Sequence, residues 1–204
     1  MNSKLIVVPD MPELTFEERT HTYKLEGVKI PSVTTLMEPL ASKVYGPIDK
    51  ATIAQAANKG TIVHDAIENY LEFGVDDIPV EYRGYMDSFH GWMEMSKPEI
   101  IATERKVYHK LFRYAGRTDL LCMIGGRLTL VDYKTSYQEQ PLLHNIQLEG
   151  YARAWDSQGV EIEDRLILHL KKDGKYMAHH YPKSAENFEV MKSLNTLYNY
   201  MKKF

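Results

Sequence analysis

Gly116–Ser136 reads G-R-T-D-L-L-C-M-I-G-G-R-L-T-L-V-D-Y-K-T-S. Leu120, Leu121, Met123 and Ile124, then Leu128, Leu130 and Val131, are two apolar runs rich in strand formers. Gly125-Gly126 between them is a strong two-residue hairpin signal. The hairpin brings Asp119, at the entry of its first strand, towards Asp132 and Lys134 at the exit of its second. Strand alternation sends Asp132 and Lys134 to one face and Tyr133 to the other.

Two carboxylates and an ammonium at the end of an apolar hairpin are costly unless they are paired or hold a metal. A hard divalent cation takes carboxylate oxygens, carbonyls and water, and Asp119 with Asp132 supplies the first kind. Lys134 is then placed to meet an anion or to orient or deprotonate an attacking water. That set suits metal-assisted phosphodiester hydrolysis. A surface hairpin end with a salt bridge would also present these residue types.

Outward from the hairpin, Leu14–Ile30 reads as an early hairpin, and Ser32 caps a short helix through Leu36 and Leu40. Ala51–Phe73 has helical spacing, with Gly60 expected to interrupt it or mark a close approach. His64 lies on this helix, with Glu68 one turn on along the same face. A lone histidine there also suits packing. Glu81–Ser96 is a second helix with Tyr85, Phe89, Trp92 and Met93 as its core stripe. Glu99–Lys110 is a strand carrying Glu104. Pro141–Asp156 is a helix on which Gln147 and Tyr151 share a face. Arg165–Leu170 is a strand, Asp173-Gly174 turns into Lys175–Tyr181, and Ala185–Lys202 closes the chain as an amphipathic helix.

With 204 residues, one domain spanning 1–204 is expected. Hydrophobic residues make up 44% and charged residues 26%, an ordinary globular balance. No apolar run reaches the ~18 residues of a membrane span, and the short run Leu5–Val8 does not suggest a leader. The single cysteine, Cys122, precludes an intramolecular disulfide and suits a reducing compartment. A net charge of −3 does not advertise nucleic-acid binding, so any positive surface must be local. Arg105, Lys106, Lys110, Arg113 and Arg117, and Lys171, Lys172 and Lys175, are candidates; they equally suit a solvated face.

Several motifs together carry a resemblance. G-x-x-D at Gly116–Asp119, then twelve residues and D-Y-K-T-S from Asp132, resembles motifs II and III of the PD-(D/E)XK nuclease superfamily. Thr118 stands where the superfamily's name has Pro, a departure usual in its RecB-like exonuclease branch. G-T-I-V-H-D-A-I-E, ending at Glu68, resembles that branch's motif I, and Gln147-x-x-x-Tyr151 resembles the motif after the catalytic lysine. H-x-Y…P-S-V-T near the start is similar to the entry of phage RecB-like nucleases.

The resemblance implies an α/β fold with a central mixed sheet flanked by helices, its core running α-β-β-β-α-β. It implies a Mg²⁺- or Mn²⁺-dependent DNA nuclease, more exonuclease than endonuclease. Asp119, Asp132 and Lys134 are then catalytic, and His64, Asp119, Asp132 and the Tyr133 carbonyl hold one or two metals. Gln147, Tyr151 and Arg117 bind DNA, and Glu68 and Glu104 support the ligands from behind. The four-cysteine iron–sulfur cluster of some relatives is excluded by the cysteine count. The implied setting is a bacterial or phage-infected cytoplasm, with a homo-oligomer or a single-strand-annealing or recombination protein as partner and no membrane. A catalytically silent DNA-binding subunit, and a structure-specific endonuclease or RNase, are alternatives.

Overall fold

The computed structural model of the chain describes residues 6–204; Leu5, at the head of the short apolar run, lies outside them. Its centre is a five-stranded mixed sheet, in the order β4 (Glu99–Tyr108), β5 (Ala115–Ile124), β6 (Arg127–Lys134), β7 (Asp164–Leu170), β8 (Tyr176–His180). Neighbouring strands are antiparallel except β6 and β7, which run parallel. A parallel pair needs a crossover, and α4 (Pro141–Ser157) supplies it. Pro141 opens this helix, where its missing N–H costs nothing.

The β5–β6 hairpin turns at Gly125 and Gly126, with φ of 57° and 79°. Two successive positive φ values make the type I′ turn that glycine permits, and Ile124 then pairs with Arg127. Register follows from that turn. Leu128 and Leu130 fall in the core shared with α4, and Val131 and Tyr133 in the core on the opposite face. The alternation therefore delivers Asp132 to the α4 side and buries the Tyr133 ring on the other.

α1 (Val33–Tyr45) and α5 (Ala185–Met201) join α4 on one face of the sheet. α2 (Lys50–Phe73) and α3 (Arg83–Ser96) cover the other, where Val63 and Ile67 meet Phe89, Trp92 and Tyr133. Ser32, Asp49 and Ser184 cap α1, α2 and α5 by accepting backbone N–H groups. Leu14–Glu17, Thr22–Leu25 and Val28–Ile30 (β1–β3) form a separate three-stranded sheet packed on Tyr108 and Ala115. The early hairpin thus gains a third strand.

Gly60 neither breaks α2 nor marks a close approach. The helix runs unbroken through it, and a Cβ there would meet nothing within 4 Å. One glycine costs only ~1 kcal/mol in a helix interior, which the cap at Asp49 and the packing of Val63–Ile67 offset.

α4 is fixed to the sheet by ions as well as by apolar contact. The Glu149 carboxylate is fully buried and ion-pairs with Arg165 of β7, itself 1% exposed. Glu149 also accepts from Arg153 Nε at 2.7 Å and from the Ser184 N–H at 2.9 Å. Removing one member of such a pair strands a buried charge, at a cost of about 3–5 kcal/mol, whereas an apolar replacement of both is much milder. Glu149→Ala should therefore lose about that much in urea unfolding, and Glu149→Leu with Arg165→Met should recover most of it.

Candidate active site

Four elements converge at the end of the hairpin. α2 carries His64, β4 carries Glu104, β5 carries Asp119, and β6 carries Asp132 and Lys134. His64 Nδ1 lies 3.6 Å from Asp119 Oδ1 and 3.9 Å from Glu104 Oε1. Each of the three offers a ligand atom within 4.8 Å of the others, the one such trio among the described residues. An imidazole nitrogen with two carboxylates suits a divalent ion of the Mg²⁺ or Mn²⁺ kind. Asp119 is held by its other oxygen, which accepts the Tyr133 N–H at 2.7 Å.

Asp132 and Lys134 form the adjoining half. Lys134 Nζ lies 2.5 Å from Asp132 Oδ2, and Gln147 Nε2 donates to Asp132 Oδ1 at 3.2 Å. Burial works against the Lys134 ammonium, but the Asp132 and Asp119 carboxylates outweigh it and hold its pKa above the ordinary lysine value. Lys134 is thus a cation at neutral pH.

The carboxyl groups of Glu104 and Asp119 are forced together. Thr103 pairs with Leu120 and Arg105 with Thr118, so Glu104 stands opposite Asp119 across the β4–β5 ladder. Like charges at such positions destabilise a sheet. Glu104 has φ of 45°, a left-handed conformation that a non-glycine residue adopts only under constraint. Burial first, and then the Asp119 charge, push the Glu104 carboxyl above its ordinary range; Arg117 Nε, at 2.8 Å, partly offsets this. Burial likewise raises Asp119, opposed by His64 and reinforced by Asp132.

The family model described as the PD-(D/E)XK nuclease superfamily matches residues 76–193, more than half of the chain. The chain belongs to that nuclease superfamily. The match takes in Glu104, Asp119, Asp132, Lys134, Gln147 and Tyr151 and leaves His64 outside it. Comparison with curated proteins finds none that matches. Among solved structures, the chain is similar to an alkaline exonuclease from Laribacter hongkongensis, at 9% identity and a TM-score of 0.46, over 85% of this chain and 92% of that one. It is also similar to a phage-related exonuclease from Haemophilus somnus 129PT, at 13% identity and a TM-score of 0.38, over 82% and 90%.

PD-(D/E)XK nucleases use divalent metals, and the His64–Glu104–Asp119 trio is a donor set that fits one. The expected site residues fall into two adjoining groups. Glu104 contributes one of the trio's three candidate ligand atoms, and Asp132 lies beside the trio, between Lys134 and Gln147. Tyr133 presents its N–H to Asp119. Arg117 reaches Glu104. Glu68 is not one of the trio, and its carboxyl is raised by burial and by Glu72. Tyr151 bonds to Gln147, as the shared helical face requires, and its ring is 5% exposed and packs over Gly116.

That contact explains the glycine of G-x-x-D. A Cβ on Gly116 would lie 2.3 Å from Tyr151 Cε1. Gly116→Ala should push Tyr151, and with it Gln147, off Asp132, costing about 1–3 kcal/mol in denaturant unfolding. A variant of unchanged stability would show that the ring moves aside freely.

The raised carboxyls also set a pH dependence. In the folded state these groups hold protons that the unfolded chain releases near pH 4, so metal-free stability is full below that range and falls as pH rises through their raised values. Glu104→Gln should therefore raise the metal-free Tm at pH 8. The gain should be on the order of 1 kcal/mol or more, because each tenfold change in proton affinity is worth ~1.4 kcal/mol. The same variant should flatten the decline in Tm from pH 5 to 8.

Proposed function

We propose that this chain is a divalent-metal-dependent DNA nuclease of the RecB-like, phage-type kind that degrades DNA from an end. The observation that carries the reading is the trio His64, Glu104 and Asp119 set beside the Asp132–Lys134 pair. Mg²⁺ or Mn²⁺ bound there supplies Lewis acidity at the phosphoryl group. His64 in the donor set favours Mn²⁺ as a good substitute for Mg²⁺.

The chain's own groups do the rest. The Tyr133 N–H fixes the Asp119 carboxylate. Gln147 fixes Asp132, which in turn fixes the Lys134 ammonium. Lys134, kept charged, orients the attacking water and meets the phosphoryl charge as it develops. An exonucleolytic mode rests on the resemblance of these sequence motifs to the RecB-like branch.

End-labelled linear DNA and closed circular DNA, each with Mg²⁺, Mn²⁺ or excess EDTA, test the proposal. The linear substrate should be degraded with either metal, the circle should survive, and EDTA should stop the reaction. Asp132→Ala and Lys134→Ala should each lower the rate at least 100-fold while the protein stays folded. Undiminished cleavage in EDTA, or wild-type rates in Asp132→Ala, would overturn it.

A further inference from the structure

Four lysines are half-buried among the described residues: Lys59, Lys134, Lys171 and Lys192. Lys134 is paired with Asp132, and Lys192 with Glu189 at 2.6 Å. Among the described residues no carboxylate lies within 4.0 Å of Lys59 or Lys171, in a chain whose acidic residues outnumber its basic ones. Withdrawing an ammonium from water without a counter-charge is unfavourable, and a chain with acid to spare leaves it so at two places.

Lys59 lies against the backbone that follows Lys134, and Lys171 is joined to the same backbone through His169. Lys59 Nζ donates to the Thr135 carbonyl at 2.8 Å, with the Tyr85 hydroxyl at 3.5 Å and the Tyr85 ring centre at 5.4 Å. On the other side, His169 Nε2 donates to the Ser136 carbonyl at 2.5 Å. That hydrogen bond leaves Nδ1 as the acceptor facing Lys171 Nζ at 3.4 Å. Thr135 and Ser136 directly follow Lys134, and His169 pairs with Lys134 across the parallel β6–β7 ladder. Lys59 thus comes from α2 and Lys171 from the end of β7, and the end of β6 lies between them.

We propose that Lys59 and Lys171 bind backbone phosphates of the DNA strand on either side of the phosphate being cut. The inference rests on the nuclease reading and deepens it. A carbonyl and a phenol hold the Lys59 ammonium and an imidazole that of Lys171, and these neutral partners leave both charges uncompensated. A phosphate supplies the missing charge at a fixed distance from Lys134, so that the two lysines set the register of the strand over the site.

Equilibrium binding of a fluorescent single-stranded oligonucleotide, in EDTA to prevent cleavage and across a range of KCl, tests this directly. Each phosphate contact on a single strand contributes about 0.7 to the slope of log affinity against log salt. Lys59→Met and Lys171→Met should each lower that slope by about this amount and weaken binding several-fold at low salt. Lys59→Arg should restore the slope. An oligonucleotide with uncharged methylphosphonate linkages should bind wild type and both Met variants alike, and inorganic phosphate alone should compete only weakly. Unchanged slopes in both Met variants, beside a wild type that binds and cuts DNA, would overturn the inference and leave the nuclease reading standing. The two lysines would then be straps for the 135–136 backbone. A wild type that neither binds nor cuts DNA would remove both. If Lys59→Met fails to fold, Lys171→Met and Lys59→Arg still decide.

Discussion

Glu104 and Asp119 stand opposite each other across two hydrogen-bonded strands, and most of the site is arranged around that opposition. A carboxylate pair at such positions is costly in an ordinary sheet, and burial makes it worse. The groups at hand each offset part of the cost without removing it. His64 approaches both, Arg117 takes one oxygen of Glu104, and the Tyr133 N–H takes one oxygen of Asp119. The positive φ at Glu104 is a further cost, at the residue that brings the second carboxyl into place. A divalent ion held by the trio would remove the repulsion that these side chains only moderate.

α4 does for Asp132 what the ladder does for Asp119. Its middle is fixed by the Glu149–Arg165 pair and by Arg153. Gly150 lets the helix close on Val33 and Met191, where a Cβ would meet atoms at 3.1 to 3.3 Å, and its carbonyl accepts from the Tyr114 hydroxyl at 2.9 Å. With the helix fixed in height and rotation, Gln147 arrives at Asp132 and Tyr151 fills the space above Gly116. The polar contact to Asp132 therefore depends on packing further along the helix. Small-residue positions and a buried ion pair away from the chemistry thus govern how Asp132 is aligned.

The hairpin is legible in the sequence because its information is local. Two glycines set the turn, alternation sets the faces, and Asp132 and Lys134 follow from period two. The helices are legible for the same reason, since capping residues and apolar spacing act within a few residues. The partners of those residues are not. Glu104 joins Asp119 through strand pairing, and whether a strand glutamate faces solvent or a cluster depends on register with another strand. Glu149 looks like one polar position on an amphipathic helix, yet Arg165 makes it a buried ion. Gly60 misleads because a helix tolerates one glycine when its flanks are well capped and packed. Lys59 gives no signal at all; it matters only because α2 passes beside Thr135.

The distribution of charge departs furthest from what composition suggests. Arg105, Arg113 and Arg117, natural candidates for a basic face, all lie beside carboxylates: Asp10, Glu26 and Glu104. An arginine so paired adds little field at a distance, since its partner cancels it beyond roughly one Debye length, about 8 Å at physiological salt. A chain of net charge −3 with its arginines so placed has weak long-range attraction for a polyanion. At the site the positive charge acts at contact distance: Lys134, beside Asp132, sits at the end of β6. There burial strengthens each interaction that water would otherwise screen. An acidic chain can therefore serve a polyanionic substrate when cations border the reacting group, because transition-state charge is stabilised locally while approach from solution is governed by the whole molecule.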